Sequence, residues 1–509
     1  MKKKIKVLFT AYECAPFFKM GGLGDVAGSL PKALKKLGVD IRVVLPYYRE
    51  IKKRKDVEVI KKNVLVEYGK EKIKINPHTK DFGVRVNILR SYLPGSRVPI
   101  YFVDNSKWFG VKDIFDKNNR ERFVLFSYLA VKLPSILKWK ADVVHANDWH
   151  TGLVPILIQN RRNRAMPCSY IKIKTIYTIH NLAYLGRCAL EILEKYGFNK
   201  KDFSEVDKEG MVNIMREAIL SADIVNTVSP TYAKEILTKE FGAGMEKSLQ
   251  KREKDLYGIV NGLDYQVFNP AIDKNIKTKY GLNHIWKKID NKLHLQKICK
   301  LPVDKNIPII GMISRLAGQK GFDLLEEIFD KLMQENLQLV ILGTGSKHYE
   351  KYFRKMQKKY KEKFSANLKF DIKLASQIYA GADMFLMPSK YEPCGLGQLI
   401  AMKYGTVPIV RSTGGLKDTV ASLQETRNKK QINSKFQIPN KFQITNYKTA
   451  TGFSFEKYNS KELLKTIKQA LFIFEDQKTW NKLIRNCMRQ NFSWESSAKE
   501  YLKLYEKLI

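Results

Sequence analysis

The 509 residues are too many for a single hydrophobic core and lead us to expect roughly two to four domains. A hydrophobic content of 44%, with 11% aromatic residues, excludes a disordered or fibrous chain. Six cysteines without a C-x-x-C pair exclude a disulfide framework and point to a reducing cytoplasm, and the +40 formal charge is spread along the whole chain without zinc-finger spacing or an aromatic RNA-binding signature, so it reads as solvated lysine-rich faces rather than a nucleic-acid surface.

Met1-Lys2-Lys3-Lys4-Ile5 could open a signal peptide. Lys6 and Glu13 interrupt the apolar run and no small-residue cleavage site follows, so residues 5–10 read as a first strand. No apolar segment approaches the ~20 residues of a membrane span. A helix is expected over 26–37, with Leu30, Ala33, Leu34 and Leu37 on one face. Between strand and helix lies Lys19-Met20-Gly21-Gly22-Leu23-Gly24-Asp25, a loop that lets backbone approach a diphosphate while Lys19 adds charge. The glycines at 22, 24 and 28 miss the dinucleotide G-x-G-x-x-G spacing by one residue. The strand 41–45 ends in Pro46-Tyr47-Tyr48 rather than in an acid for a ribose. A nicotinamide enzyme is disfavoured.

Alternation over 58–104 suggests strands and hairpins, 107–120 a loop and 121–137 a helix. The buried strand 142–145 leads into Ala146-Asn147-Asp148-Trp149-His150-Thr151-Gly152, and the strand 174–178 ends in His180-Asn181. Polar residues at strand carboxyl ends are placed for a ligand, although any one of them taken singly reads better as a satisfied residue at a helix cap. His145, His150 and His180 have no acid or Cys at zinc spacing, and no Asp-x-Asp pair occurs. Neither a metal nor a cofactor is expected.

A helix over 211–220, a strand over 223–228 and a Pro230-led helix come next. A strand at 258–260 then enters the turn Asn261-Gly262-Leu263-Asp264, and the domain boundary is set just before this strand. The second domain begins its own alternation. Strand 308–313 leads to Arg315 and Lys320, two cations five residues apart that suit a diphosphate. Strand 338–342 leads to Gly343-Thr344-Gly345, placed near a nucleoside, and a helix follows over 372–381. Strand 383–387 leads to Pro388-Ser389-Lys390-Tyr391-Glu392-Pro393-Cys394-Gly395-Leu396-Gly397 and a helix through Ile400, Ala401, Met402 and Tyr404. Strand 406–410 leads to Ser412-Thr413-Gly414-Gly415-Leu416. Residues 424–448 repeat Lys-Phe-Gln-Ile and read as an insertion without a catalytic role. Helices at 460–472, 476–488 and 495–508 close the chain.

Glu392-Pro393-Cys394-Gly395-Leu396, the run Ala401–Arg411 and Thr413–Val420 resemble the glycogen (starch) synthase family. So do Lys19 with Gly21-Gly22-Leu23 and Asp25-Val26, Asp148-Trp149-His150, and Arg315-Leu316 with Gln319-Lys320-Gly321. The likeness runs from about residue 5 to 508. It implies an α/β fold of two Rossmann-like, doubly wound domains facing across a deep cleft, the GT-B type. Residues 1–255 would form the glucan-acceptor side and 256–489 the nucleotide-sugar side. The last helix, about 490–509, would pack back on the first domain.

The same resemblance implies retaining transfer of glucose from ADP-glucose to the non-reducing end of an α-1,4-glucan. Both substrates are the expected partners, with no nucleic acid or membrane, and oligomeric state left open. Glu392, His180, Asp148, Arg315 and Lys320 would be catalytic. Lys19, Gly22, Asp25, Asn261, Cys394, Gly395, Leu396, Gly397, Thr413, Gly414 and Gly415 would bind substrate. Positive charge on Lys19, Arg315 and Lys320 would stabilise the leaving diphosphate. The chain departs from the family at Asn147 (His in some members), Arg216 (Lys), Ala218 (Gly) and Gly397 (often Thr), while Ile400 stands where some relatives carry a second acid. No side chain stands out as a covalent nucleophile, which favours same-face transfer. The alternatives are a retaining transferase with another donor or acceptor, and a basic nucleic-acid- or glucan-binding protein without turnover. ADP and UDP donors are not distinguished by these residues.

Overall fold

The computed structural model describes residues 4–68, 83–163, 173–423, 425–426, 443–444 and 449–509. The chain divides into two compact units, Met1–Gly262 with Trp494–Ile509, and Leu263–Ser493.

The first unit holds β1 (Lys6–Thr10), β2 (Asp40–Pro46), β3 (Glu58–Glu67), β4 (Gly83–Tyr92), β5 (Pro99–Asp104), β6 (Val143–Asn147), β7 (Lys174–Ile179), β8 (Arg187–Ala189), β9 (Met211–Asn213), β10 (Ile224–Thr227) and β11 (Leu256–Gly258). Nine of these form one sheet in the order β11-β10-β7-β6-β1-β2-β5-β4-β3. Pairing is parallel from β11 to β5 and antiparallel along β5-β4-β3. The central strands are mainly apolar because helices cover both faces of a parallel sheet, and β6 is buried at every position, His145 and Asn147 included. Edge strand β3 is mostly exposed and carries Lys61 and Lys62, charges that discourage pairing with another chain. Strands β8 and β9 pair separately as an antiparallel hairpin.

Some expected bounds shift for local reasons. The first helix runs Gly22–Lys36, so the glycine loop supplies its first turn rather than preceding it. The helix expected at 211 starts at Ile214, because Met211–Asn213 pair with β8 and the Asn213 side chain accepts from Arg216 N. Within the loop expected over 107–120, Ser106–Phe109 form a helical turn capped by Asn105, and the following helix starts at Asn119.

The expected domain boundary before residue 256 moves to 262/263, because β11 completes the first sheet beside β10. The other crossing moves from 489/490 to 493/494. Asn261–Leu263 is not the turn expected from Asn-Gly: Leu263 forms a parallel bridge with Ser493, and its N–H donates to Phe492 O at 2.6 Å. The final helix, Trp494–Leu508, belongs to the first unit and buries Trp494, Tyr501 and Tyr505 there.

The second unit holds β12 (Ile309–Ile313), β13 (Gln338–Leu342), β14 (Phe364–Asn367), β15 (Met384–Met387), β16 (Val407–Arg411), β17 (Glu425–Thr426), β18 (Gln443–Ile444) and β19 (Phe453–Phe455). Six strands form a sheet in the order β14-β13-β12-β15-β16-β19, parallel throughout. Strands β17 and β18 pair antiparallel at the ends of the expected insertion, whose remainder lies outside the described residues. Among the described residues no helix is long and apolar enough to cross a membrane.

The parallel part of each sheet reverses its strand order once: between β1 and β6 in the first unit, and between β12 and β15 in the second. Open α/β sheets bind ligands outside the carboxyl ends of such strand pairs.

Candidate active site

At the second unit's switch point, β12 ends before Arg315 and β15 before Glu392. Glu392 is buried at 6% exposure. Its Oε2 accepts from Lys320 Nζ at 2.6 Å and from Ser389 Oγ at 3.0 Å. The two loops are further laced by Lys390 N donating to Gln319 O at 2.8 Å and by Gln319 Nε2 donating to Tyr391 O at 3.1 Å. The two cations expected on a diphosphate therefore stand differently. Lys320 is held by Glu392, whereas Arg315 is exposed and has no carboxylate partner among the described residues.

The glycine turn after β16 closes over the same loop. A Cβ at Gly414 would stand 2.0 Å from Glu392 O, and one at Gly415 would stand 2.2 Å from Cys394 O. Gly414 also has φ of +45°, so glycine is required there on both counts. Gly415 N donates to Glu392 O at 3.1 Å, and Thr413 is buried just ahead of the turn. Gln398 Nε2 donates to the carbonyls of Cys394 and Gly395, both at 3.0 Å, and thereby holds the loop against the helix that Leu396 leads into. At Gly397 a Cβ would meet Phe385 Cε1 at 2.9 Å and Met387 Sδ at 3.2 Å. The space that a Thr methine would need is already filled by β15.

In the first unit, the loop after β1 corrects the sequence reading. Met20 N and Gly21 N donate to Glu13 Oε2 at 2.5 and 2.7 Å, so these two amides are engaged by the protein's own carboxylate. Glu13 is buried, which raises its pKa. What the loop turns outward is Lys19, in a 2.7 Å ion pair with Asp25, and Gly22, above which a Cβ would meet nothing within 4 Å.

Across the switch point, Asn147 Nδ2 donates to Thr10 O at 3.0 Å, and its Oδ1 lies 2.9 Å from His180 Nε2. An amide oxygen only accepts, so Nε2 carries the proton. Burial lowers the His180 pKa to about 3, and the ring is neutral. Its Nδ1, which has no hydrogen-bond partner among the described residues, is then an acceptor for a hydroxyl. Asp148 (φ 53°) accepts from His180 N at 2.8 Å, and burial raises its pKa to about 7 despite that bond. Asn261 is buried, and its Oδ1 has no partner among the described residues.

The other two histidines are occupied by the fold. His145 lies between Tyr505 Oη (2.8 Å) and Thr178 Oγ1 (2.7 Å), and His150 stacks between Tyr12 (3.6 Å) and Trp149 (4.1 Å). Among the described residues no three His, Cys, Asp or Glu side chains group as metal ligands.

Asp148 makes stability depend on pH. Its folded pKa lies above the ordinary carboxylate value, so between about pH 4 and pH 7 the native state holds a proton that the unfolded chain has lost. The stabilisation is full below that window and is lost as pH rises to about 7, at no more than about 1.4 kcal/mol per pH unit. Denaturant unfolding from pH 4 to 8 is expected to show a steeper fall with rising pH in the wild type than in Asp148→Asn, the difference being the contribution of Asp148. Parallel profiles would refute it.

Residues 6–251 match the family model described as starch synthase catalytic domain, and residues 296–487 match glycosyl transferases group 1. The chain is 42% identical over 509 residues to a glycogen synthase of Thermotoga petrophila, covering 99% of each chain. It is 43% identical over 510 residues to one of Clostridium beijerinckii, again covering 99% of each. The chain belongs to the glycogen/starch synthase family. The family's GT-B fold is shared with the catalytic domain of starch synthase IV from Arabidopsis thaliana, solved bound to ADP and acarbose, at 30% identity, a TM-score of 0.83 and 99% coverage of each chain. A sucrose-phosphate synthase from Thermosynechococcus elongatus, at 16% identity and a TM-score of 0.57, shares the fold alone. The chain is thus a glycosyltransferase with glycogen/starch synthase function.

Beyond the residues assigned roles from the sequence, Glu13, Ser389 and Asn147 hold these loops by hydrogen bonds, and Phe370 stands exposed at the same sheet edge. Glu13 left one signal, a lone acid inside the apolar run Ala11-Tyr12-Glu13-Cys14. Phe370 left none. It stands 87% exposed just past the carboxyl end of β14, on the same sheet edge as Arg315 and Glu392.

Proposed function

We propose that the chain transfers glucose from ADP-glucose to the non-reducing 4-hydroxyl of an α-1,4-glucan with retention of configuration. The observation that carries this reading is the Lys320–Glu392 pair at the β12/β15 switch point, beside Arg315, which has no carboxylate partner among the described residues. Such a site offers two cations to a leaving diphosphate and one buried carboxylate to sugar hydroxyls. The ADP bound to the related starch synthase IV supports an adenine nucleotide as donor.

In this mechanism the second unit is the donor side. Arg315 forks across diphosphate oxygens, and Lys320 adds a point charge as negative charge builds on the leaving group. Glu392 accepts from donor glucose hydroxyls and, being anionic, favours the oxocarbenium-like centre. Gly395, Gly397, Gly414 and Gly415 let backbone approach the donor, with Cys394, Leu396 and Thr413 shaping the loops. Phe370 supplies an exposed face on which a base can stack. The first unit is the acceptor side. His180 Nδ1 accepts from a hydroxyl of the transferred glucose, Asp148 orients the acceptor stretch, and Lys19, Asp25, Gly22 and Asn261 contact the substrates. With no protein nucleophile assigned, the acceptor oxygen attacks from the face that the diphosphate leaves. The five cysteines among the described residues are buried and free, which suits a reducing cytoplasm.

Nucleoside-diphosphate release from ADP-glucose and UDP-glucose, with and without glycogen, tests the reading. Glycogen-dependent ADP release is expected, and Phe370→Ala is expected to raise the KM for ADP-glucose about tenfold, as for loss of one stacking contact. Release from UDP-glucose alone would correct the donor. Release from neither would refute the assignment.

A further inference from the structure

The first unit contains a pocket of about 260 Å³ that no role above has used. Its wall is built by the β8–β9 hairpin, the start of the helix Ile214–Ser221 and the turn at residues 243–245. Arg187, Glu205, Asp207 and Arg216 line it, with Met211 and Met245 among its apolar surfaces. We propose that this pocket is a subsite for a glucose unit of the glucan remote from the reacting end. This rests on the acceptor reading above.

Charge is the first reason. The lining cations are already paired: Arg187 with Asp207, and Arg216 with Glu205. In a chain of formal charge +40, this pocket sets two arginines against two carboxylates. A balanced lining does not concentrate phosphate, whereas Arg–carboxylate pairs present donors and acceptors side by side, as a vicinal diol requires. The methionines offer a soft apolar surface to the C–H face of a pyranose. The volume is below the roughly 300 Å³ at which drug-sized ligand pockets begin, which suits one sugar ring better than a nucleotide.

Position is the second reason. The pocket adjoins the Asp148-Trp149-His150 stretch. Arg187 O accepts from Arg120 Nε at 2.8 Å, and the Arg120 guanidinium lies 4.4 Å from the Trp149 ring centroid. Between Leu185 and Arg187, Gly186 packs so closely on Trp149 that a Cβ would stand 2.6 Å from the Trp149 Cβ. The hairpin that walls this pocket is therefore packed directly on the stretch assigned to the acceptor. The Arg at 216, where the family usually has Lys, also acquires a use, because its planar fork can pair with Glu205 and still donate to a sugar.

The test uses the full-length protein and Glu205→Ala, whose side chain is 57% exposed, so that the fold tolerates its loss. The expected result is a KM for maltoheptaose raised about fivefold, the equivalent of one lost hydrogen bond, with the KM for ADP-glucose and the rate on maltotriose unchanged. Calorimetric titration of maltoheptaose without any nucleotide sugar should show the same weakening and little dependence on salt. Asp207→Ala, checked for folding by its thermal transition, should repeat both effects. Equal losses on short and long acceptors, or none, would overturn the proposal, as would displacement of maltoheptaose by inorganic phosphate. If no glucose is transferred at all, the acceptor reading fails, and the titration of wild type against Glu205→Ala still decides whether the pocket binds oligosaccharide.

Discussion

Glu392→Gln is expected to lower kcat for glucose transfer by two to three orders of magnitude while leaving the chain folded. The substitution keeps the volume and an oxygen that can accept from Ser389, but it removes the charge facing Lys320 at 2.6 Å. Two losses coincide. The carboxylate no longer favours positive charge at the reacting carbon, and a largely buried ammonium loses its counter-charge and relaxes. Removing one pre-positioned electrostatic group from such a site typically costs about 10²–10³ in kcat. Lys320→Gln should lose less than Glu392→Gln if Arg315 carries most of the diphosphate charge. Steady-state kinetics with a thermal-unfolding control measures both. A Glu392→Gln enzyme retaining more than a tenth of wild-type kcat would remove Glu392 from the centre of the mechanism.

Lys288→Met is expected to destabilise the second unit by about 3 kcal/mol, within the range for buried polar groups left without a partner. Lys288 is buried, and its Nζ donates to Ala380 O at 2.7 Å, Thr406 Oγ1 at 2.8 Å, Tyr404 O at 3.2 Å and Tyr379 O at 3.3 Å. Those carbonyls lie at the carboxyl ends of the helices Ile372–Gly381 and Gly397–Lys403, where a cation opposes the helix dipole favourably. Methionine fills the volume and satisfies none of the oxygens. The second of these helices begins directly after the Glu392 loop, so the loss should reach the donor site as well. Denaturant unfolding followed by far-UV circular dichroism would show an earlier transition. A change under about 0.5 kcal/mol would mean that water or a shift of Thr406 replaces the ammonium.

The amino-acid sequence by itself determined what local order can carry. Buried runs such as β12, β15 and residues 339–342 of β13 are apolar throughout because both faces of a parallel sheet are covered, and this pattern is readable without neighbours. The loops that follow them were equally legible, since glycine and charge at a strand's end have few other uses. Tertiary structure decided the rest. That Lys320 reaches Glu392, 72 residues on, rather than standing free beside Arg315, follows from β12 and β15 being neighbours in the sheet. That Glu13 takes up two amides of the Lys19 loop follows from that loop folding back on the end of β1. That β11 and the last helix belong to the first unit is a matter of pairing with β10 and of burying Tyr501 and Tyr505, and neither is written in the periodicity of those segments. Periodicity reports which face of an element is buried. Which partner buries it, and which charge meets which, depends on contacts between residues far apart in the chain.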